Sequence, residues 1–193
     1  MIRAAVIDGH PAMRAGVAAI LARTSDVVVV ADASGELHEV AHALYRTTPD
    51  VVIVEDAPGR LDGVALAREI KAWAPAPRVV LYTDGIDAAG IAAATLAGAD
   101  ALLDTRAHET ELIDAVRAVS RGETVFPELD PASHAELTSR LATDDRDILR
   151  MRLAALSPRE IARLLRIDAR TLRDRVSEMI SRLRAGPMPA AAT

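Results

Sequence analysis

Cysteine is absent from the 193 residues, which excludes disulfides, thiol chemistry and cysteine-ligated zinc. Aromatic side chains are almost absent as well: one tryptophan, two tyrosines and one phenylalanine. Half of the residues are nonetheless hydrophobic, so a core is available and must be filled by alanine, valine, leucine and isoleucine. Lysine occurs once, at Lys71; otherwise the strongly basic residues are arginines. No apolar run approaches the ~20 residues of a membrane-spanning helix, and no basic segment precedes a long apolar run at the N-terminus. A cytoplasmic protein is the expectation. Ser-His-Asp sets and phosphate-cradling glycine loops are missing too, so neither an enzyme nor a cofactor is expected.

The net charge of −5 would argue against nucleic acid if it were spread evenly. It is divided: residues 1–137 carry 11 lysine and arginine against 21 aspartate and glutamate, and residues 138–193 carry 12 against 7. An acidic module joined to a basic one fits a regulator whose small domain alone touches DNA. Plain domain individuality is the alternative.

From the start of the chain, apolar strand-like runs alternate with helical patterns. Strands are predicted at Ile2–Ile7, Val27–Ala31, Val51–Val54, Arg78–Tyr82 and Ala101–Leu103. Helices are predicted at Ala12–Ala22, Gly35–Arg46, Leu61–Trp73, Asp87–Ala97 and Thr110–Arg121. Such continuous apolar strands mean a parallel sheet covered on both faces. A site in such a sheet lies at the carboxyl ends of the strands, which hold Asp8, Glu55-Asp56, Thr83 and Asp104-Thr105. Asp8, Glu55 and Asp56 could hold a weak divalent cation at most, and no functional metal is expected. His38 and His42 have metal-binding spacing on one predicted helix but no third ligand, and read as solvated.

Gly122 to about Ser139 carries prolines and small polar residues and reads as a linker whose second half can be helical; Thr138–Leu153 reads as a helix. The stretch Leu156–Leu183 reads as two helices meeting at a short turn. Ser157, Pro158 and Glu160 form a capping start, and Ile161, Leu164 and Leu165 supply one buried stripe. Asp168 caps a second helix from Ala169, in which Leu172, Val176, Met179, Ile180 and Leu183 share one face. Arg170, Arg173, Asp174, Ser177 and Ser181 share another. A buried stripe opposite arginines suits a major-groove reader, because the guanidinium fork can bond guanine O6 and N7 or grip a phosphate. An ordinary helix with a solvated charged face has the same pattern. Gly186, Pro187 and Pro189 cannot continue a helix, so a disordered tail is expected from residue 185.

Two resemblances sharpen this reading. Leu141–Leu183 resembles the DNA-binding domain of the LuxR family, as carried by NarL/FixJ-type response regulators. Asp145-Arg146-Asp147-Ile148-Leu149, Leu156-Ser157, Glu160-Ile161-Ala162, Ile167, Thr171, Val176 and Leu183 fall in register without a gap. Residues 1–125 resemble a response-regulator receiver domain, on Val6-Ile7-Asp8-Gly9-His10-Pro11, Pro49-Asp50-Val51-Val52-Ile53-Val54, Leu61-Asp62-Gly63 and Ala97-Gly98-Ala99-Asp100. The implied fold is α/β plus all-α. A five-stranded, doubly wound, flavodoxin-like receiver sheet (1–121) is followed by a linker (122–137), a helix-turn-helix domain lacking the family's usual last helix (138–184), and the tail (185–193).

The resemblance also implies a phosphorylation pocket: two acids holding Mg²⁺, an aspartate acceptor, a Thr or Ser, and a lysine. This chain keeps Asp8 and Thr83, but Gly9 stands at the second acid, Glu55 at the acceptor, Thr105 followed by Arg106 at the lysine, and Leu102 at the switching aromatic. Glu55 displaces its carboxylate by about 1.5 Å relative to aspartate, enough to spoil in-line attack. Asp56 points to the opposite face as a strand neighbour. Acyl-phosphate chemistry is therefore expected to be lost, and a permanent mimicry by Glu55 would find little left to read it.

Carried over residue by residue, the family's DNA contacts fall on Arg170, Thr171, Arg173, Asp174 and Ser177, with Arg173 foremost. Asp174 departs from the family; it either accepts from cytosine N4 or repels phosphate. Arg175 replaces a histidine, and Arg166 replaces the glycine of the turn. The expectation is a sequence-specific DNA-binding transcriptional regulator resembling an orphan response regulator with a pseudo-receiver. It would be a homodimer through that domain, controlled by a small-molecule ligand or partner regulator. The alternative is a protein-interaction module that heterodimerises with a related regulator and binds DNA weakly or not at all.

Overall fold

The computed structural model describes residues 1–57, 62–154 and 156–185. They fall into two compact units: residues 1–86 with 98–127, and residues 87–97 with the chain from 128 onward.

The first unit holds β1 (Ile2–Ile7), α1 (Pro11–Leu21), β2 (Val27–Ala33), α2 (Leu37–Thr47), β3 (Val51–Glu55), α3 (Gly63–Lys71) and β4 (Arg78–Thr83). The chain returns to it, after α4 (Ala88–Ala97), with β5 (Ala101–Asp104) and α5 (Glu109–Ser120). The five strands form one parallel sheet in the order β2-β1-β3-β4-β5. Side chains alternate along each strand, so Val6, Ile53, Val80 and Leu103 share one face with Val17 and Leu21 of α1 and Val116 and Val119 of α5. Val40 and Leu44 of α2 and Ala67 and Ile70 of α3 are buried too, with α2 packing on β2 and α3 on β3 and β4. Both faces are thus covered, as the unbroken apolar strands require.

Gly63 opens α3 where a Cβ would stand 2.0 Å from the Glu55 carbonyl oxygen, so no larger residue fits. Asp62 caps that helix with its side chain accepting from Val64 N and Ala65 N. Leu61, predicted to begin it, lies outside the described residues. At the amino-terminal edge of the sheet, the buried Asp100 accepts from Lys71 Nζ (2.8 Å), Arg78 Nη1 (3.0 Å) and Val79 N (2.8 Å). The chain's single lysine is therefore spent at the edge opposite the strand ends that form a site.

The second unit contains α4, α6 (Pro131–Ser139), α7 (Thr143–Leu153), α8 (Pro158–Leu165) and α9 (Ala169–Arg184). Every residue of α4 from Ile91 to Ala97 is buried, and the helix packs against α6, α7 and α9. Its apolar composition runs all round, with no stripe to choose a side. Arg152 of α7 donates Nε and Nη2 to the Thr95 carbonyl at 3.2 Å each.

Two expectations change here. Thr138–Leu153 is not one helix: α6, capped by Asp130 with Pro131 at its first turn, ends at Ser139, and α7 starts afresh after an extended Ala142. Leu137 and Leu141 are both buried, and turning the chain between the helices is what lets both reach the core. In α8 only Ile161 is buried, and Leu164 is 62% exposed, so the predicted stripe is not buried along its length. The remaining signals hold. Ser157 and Glu160 form a reciprocal capping box, Asp168 caps α9, and the buried residues of α9 are Leu172, Val176, Met179, Ile180 and Leu183. Arg166 ends α8 in the left-handed conformation at φ 55°, the geometry glycine takes without cost. The tail and the missing last helix concern residues beyond 185, outside the described ones.

Candidate functional sites: the strand-end pocket and the arginine-bearing helix

The carboxyl ends of β1, β3, β4 and β5 bring Asp8, Glu55, Thr83 and Thr105 to one edge of the sheet. Asp8 is buried, and its Oδ1 accepts from His10 N at 2.6 Å. Glu55 Oε2 accepts from Gly9 N at 3.0 Å, while Oε1 lies 3.2 Å from His10 Nδ1. The carboxylate that stands at the acceptor position is thus tied back onto the β1–α1 loop. Burial pushes the Glu55 carboxyl above its ordinary range, and the neighbouring Asp8, by hydrogen bond and by charge, pushes it the same way; Gly9 and His10 act in opposition. Thr105 N donates to the Thr83 carbonyl at 2.8 Å, holding the ends of β4 and β5 together through the backbone. Tyr82, beside them, is buried, and that burial raises its hydroxyl pKa.

Arg106, adjacent to the position where the family keeps lysine, does not serve the pocket. Its Nε and Nη2 bind both oxygens of Asp104 at 2.8 and 2.7 Å, which holds the Asp104 carboxyl far below its usual range. The pocket therefore offers the carboxylates of Asp8 and Glu55 and the His10 imidazole, with no lysine at Thr105 and no acid at Gly9. Mg²⁺ prefers carboxylate and water oxygens in near-octahedral array. An imidazole nitrogen 3.2–3.4 Å from both carboxylates occupies the space such oxygens would take. These residues do not fit the Mg²⁺ of phosphoryl transfer.

His10 was not among the residues singled out in the sequence. It becomes visible only when Gly9 and Glu55, 46 residues apart, are joined. The grouping of Asp8, His10 and Glu55 includes neither Asp56 nor the exposed His38 and His42 of α2.

On α9 the DNA-contact candidates lie opposite the buried stripe. Arg170, Thr171, Arg173 and Asp174 are exposed and Ser177 is half-buried. Thr171 is partly spent locally: its N and Oγ1 both donate to Asp168, at 2.8 Å each. Arg170 Nε stands 3.9 Å from Asp174 Oδ2, one helical turn away. Among the described residues Arg173 has no ion-pair partner. Arg175 has a structural role instead, with Nε and Nη2 on Oδ1 of the buried Asp145 at 3.0 and 2.6 Å. Arg182 Nη1 approaches the other oxygen of Asp145 at 3.4 Å, so this carboxylate clamps α7 to α9.

A doubly wound five-stranded sheet with acids at its strand ends, followed by a capped helix pair, defines a receiver-type regulator fold. Residues 4–117 match the response regulator receiver domain family, and the chain belongs to the response regulators. It is 29% identical over 189 residues to the response regulator protein VraR of Staphylococcus aureus strain Mu3, covering 94% of this chain and 90% of that protein. A two-component response regulator of the LuxR family from Aurantimonas sp. SI85-9A1 superposes with a TM-score of 0.61 at 26% identity, over 72% of this chain and 96% of that one. ChrA, the response regulator of a heme-sensing two-component system, gives a TM-score of 0.53 at 28% identity, over 95% and 96% of the two chains. The chain is thus a response regulator, with structural similarity to regulators of the LuxR family. No helix among the described residues is long and apolar enough to cross a membrane.

Proposed function

We propose that this protein is a cytoplasmic, sequence-specific DNA-binding transcriptional regulator that acts without phosphorylation. Its receiver-like domain (1–121) is a pseudo-receiver that dimerises and takes a ligand or partner regulator, the linker spans 122–137, and 138–184 bind DNA. The observation that carries the reading is the face of α9: arginines exposed on one side of a helix whose other side is buried throughout. Arg173 and Arg170 contact bases or phosphates, Thr171 and Ser177 position the helix, and Asp174 either reads cytosine or limits affinity. Phosphorylation independence is supported by Glu55 at the acceptor position, by Arg106 bound to Asp104, and by Lys71 bound to Asp100. Group transfer onto a carboxylate needs cations aimed at the developing charge, and none of these is aimed there.

The second reading, an interaction module with little DNA affinity, is favoured by Asp174, 68% exposed among the contact candidates. Selection of bound sites from a random duplex library by the full-length chain at moderate salt separates the two. Enrichment of paired half-sites is expected, the signature of a dimer on DNA; no enrichment at any salt concentration would favour the interaction module.

A further inference from the structure

The buried side of α9 needs more cover than its own end of the chain supplies. Leu172, Val176, Met179, Ile180 and Leu183 are buried along its length. Neither α7 nor α8 packs on it as extensively as α4 does. Just after α9 the sequence runs Gly186-Pro187-Met188-Pro189, which is not a helical pattern. We propose that α4, although it lies between β4 and β5 in the chain, is a constituent helix of the DNA-binding unit. It covers α9 in place of the last helix that the sequence does not provide, and holds α9 in its reading position.

The composition of α4 suits a place among helices. A helix laid on a sheet buries one stripe and leaves its other side in water. From Ile91 to Ala97 every residue of α4 is buried, and Ala92, Ala93 and Ala94 are each 0% exposed. Side chains this small let neighbouring helices approach at the short end of the usual ~8–10 Å between axes, on more than one side. Thr95 donates its hydroxyl to the Ile91 carbonyl at 2.8 Å and so brings no unmet polar group into the packing.

Arg152 of α7 fastens the helix. Its Nε and Nη2 meet the Thr95 carbonyl, and its Nη1 donates to the Leu156 carbonyl at 2.9 Å. The last four carbonyls of a helix lack partners within it, so the guanidinium satisfies one of them and sets a positive charge at the negative end of the helix dipole. Leu156 precedes Ser157, the cap of α8. One side chain thus ties the end of α4 to the start of the helix pair that carries α9, while Arg170, Arg173 and Asp174 stay exposed for DNA. The DNA-binding unit then extends beyond residues 138–184, and α4 opens and closes with α9 as one cooperative body.

The experiment is hydrogen exchange of the full-length chain, resolved to peptides by mass spectrometry, for the wild type, Asp145→Ala and Leu96→Ala. Asp145 joins α7 to α9 through Arg175 and Arg182. Removing its carboxylate should speed exchange in α9 and α4 alike, at least tenfold, and leave β1 and β3 unchanged. Leu96 is 3% exposed, so Leu96→Ala opens a cavity and should speed exchange in α9 at least tenfold, again sparing β1 and β3. Protection of α4 that survives Asp145→Ala while α9 loses its own, or a Leu96→Ala effect confined to the strands, would overturn the assignment. Only the second arm rests on α9 being the DNA helix. There Ala94→Glu, an unpaired charge in a buried place, should weaken binding to the selected duplex at least tenfold while the fluorescence of Trp73, in the first unit, is retained. Full affinity in that variant would overturn the proposal. A wild type that binds no duplex would defeat the DNA reading alone, because hydrogen exchange still decides where α4 belongs.

Discussion

Replacing Arg173 by alanine probes the α9 face at its strongest point. Each neighbouring group is already engaged. Thr171 caps its own helix through Asp168, and Arg175 is bound to Asp145. Arg170 faces Asp174 at 3.9 Å, a separation at which two unit charges in water attract by about 1 kcal/mol, close to the ceiling for exposed pairs. Part of the Arg170 charge is thereby cancelled before any phosphate arrives, and Arg173 carries the larger net pull. Arg173→Ala should cost ~1–3 kcal/mol of specific binding if it reads a base, which is roughly 5- to 150-fold in affinity. If it grips a phosphate instead, the slope of log affinity against log salt should fall by about 0.9. Fluorescence anisotropy of a labelled duplex bearing the selected half-sites, repeated over a salt series, reads both quantities. Unchanged affinity together with an unchanged slope would refute the placement of Arg173 on DNA. Asp174→Asn supplies the opposite sign: tighter binding where the carboxylate repels phosphate, or relaxed preference at one base pair where it reads cytosine.

Other outcomes follow from the same geometry. Asp145→Ala leaves the Arg175 and Arg182 side chains, 29% and 49% exposed, without their shared carboxylate; removing one partner of a fully buried pair costs 3–5 kcal/mol, and partial solvation here reduces that to about 2 kcal/mol. Urea unfolding followed by far-UV circular dichroism measures it, since Trp73, the only tryptophan, reports on the other unit. Arg166→Gly should stabilise by about 0.5–1 kcal/mol, because the left-handed strain it relieves exceeds the extra freedom glycine gives the unfolded chain; a clear loss of stability would contradict this. Glu55→Gln should stabilise the first unit at neutral pH. The native carboxyl is raised above its unfolded value by burial, so its ionisation on going up through that range weakens the fold, and the advantage of glutamine should vanish in acid, where wild-type Glu55 is protonated in both states. A pH-independent difference would refute that cause.

The sequence signals that succeeded are local ones. The buried stripe of α9 repeats at helical spacing, and the caps at Ser157 and Asp168 act over three residues. The β-branched runs at Val51 and Arg78–Tyr82 announce buried strands, whereas the run at Val27, read as buried, forms an edge strand with Val28 38% exposed; the order β2-β1-β3-β4-β5 is what places Asp8 and Glu55 together. What stayed hidden depends on distant partners. Ile161, Leu164 and Leu165 have one period, but which of them is covered depends on the packing partners, and Leu164 is 62% exposed. The break at residues 140–142 carries neither proline nor glycine. The apolar α4 has no polar face to tell which helices it joins. Asp145 and Arg175 are 30 residues apart, and His10 reaches Glu55 only through a fold that has already formed.

The most direct test of a regulator that works without phosphorylation is to incubate the full-length chain with a small phosphodonor and Mg²⁺, then measure intact mass and affinity for its selected DNA. No acyl-phosphate and an unchanged affinity are expected. A phosphoryl group on Glu55 or Asp56, with tighter DNA binding, would contradict the pseudo-receiver.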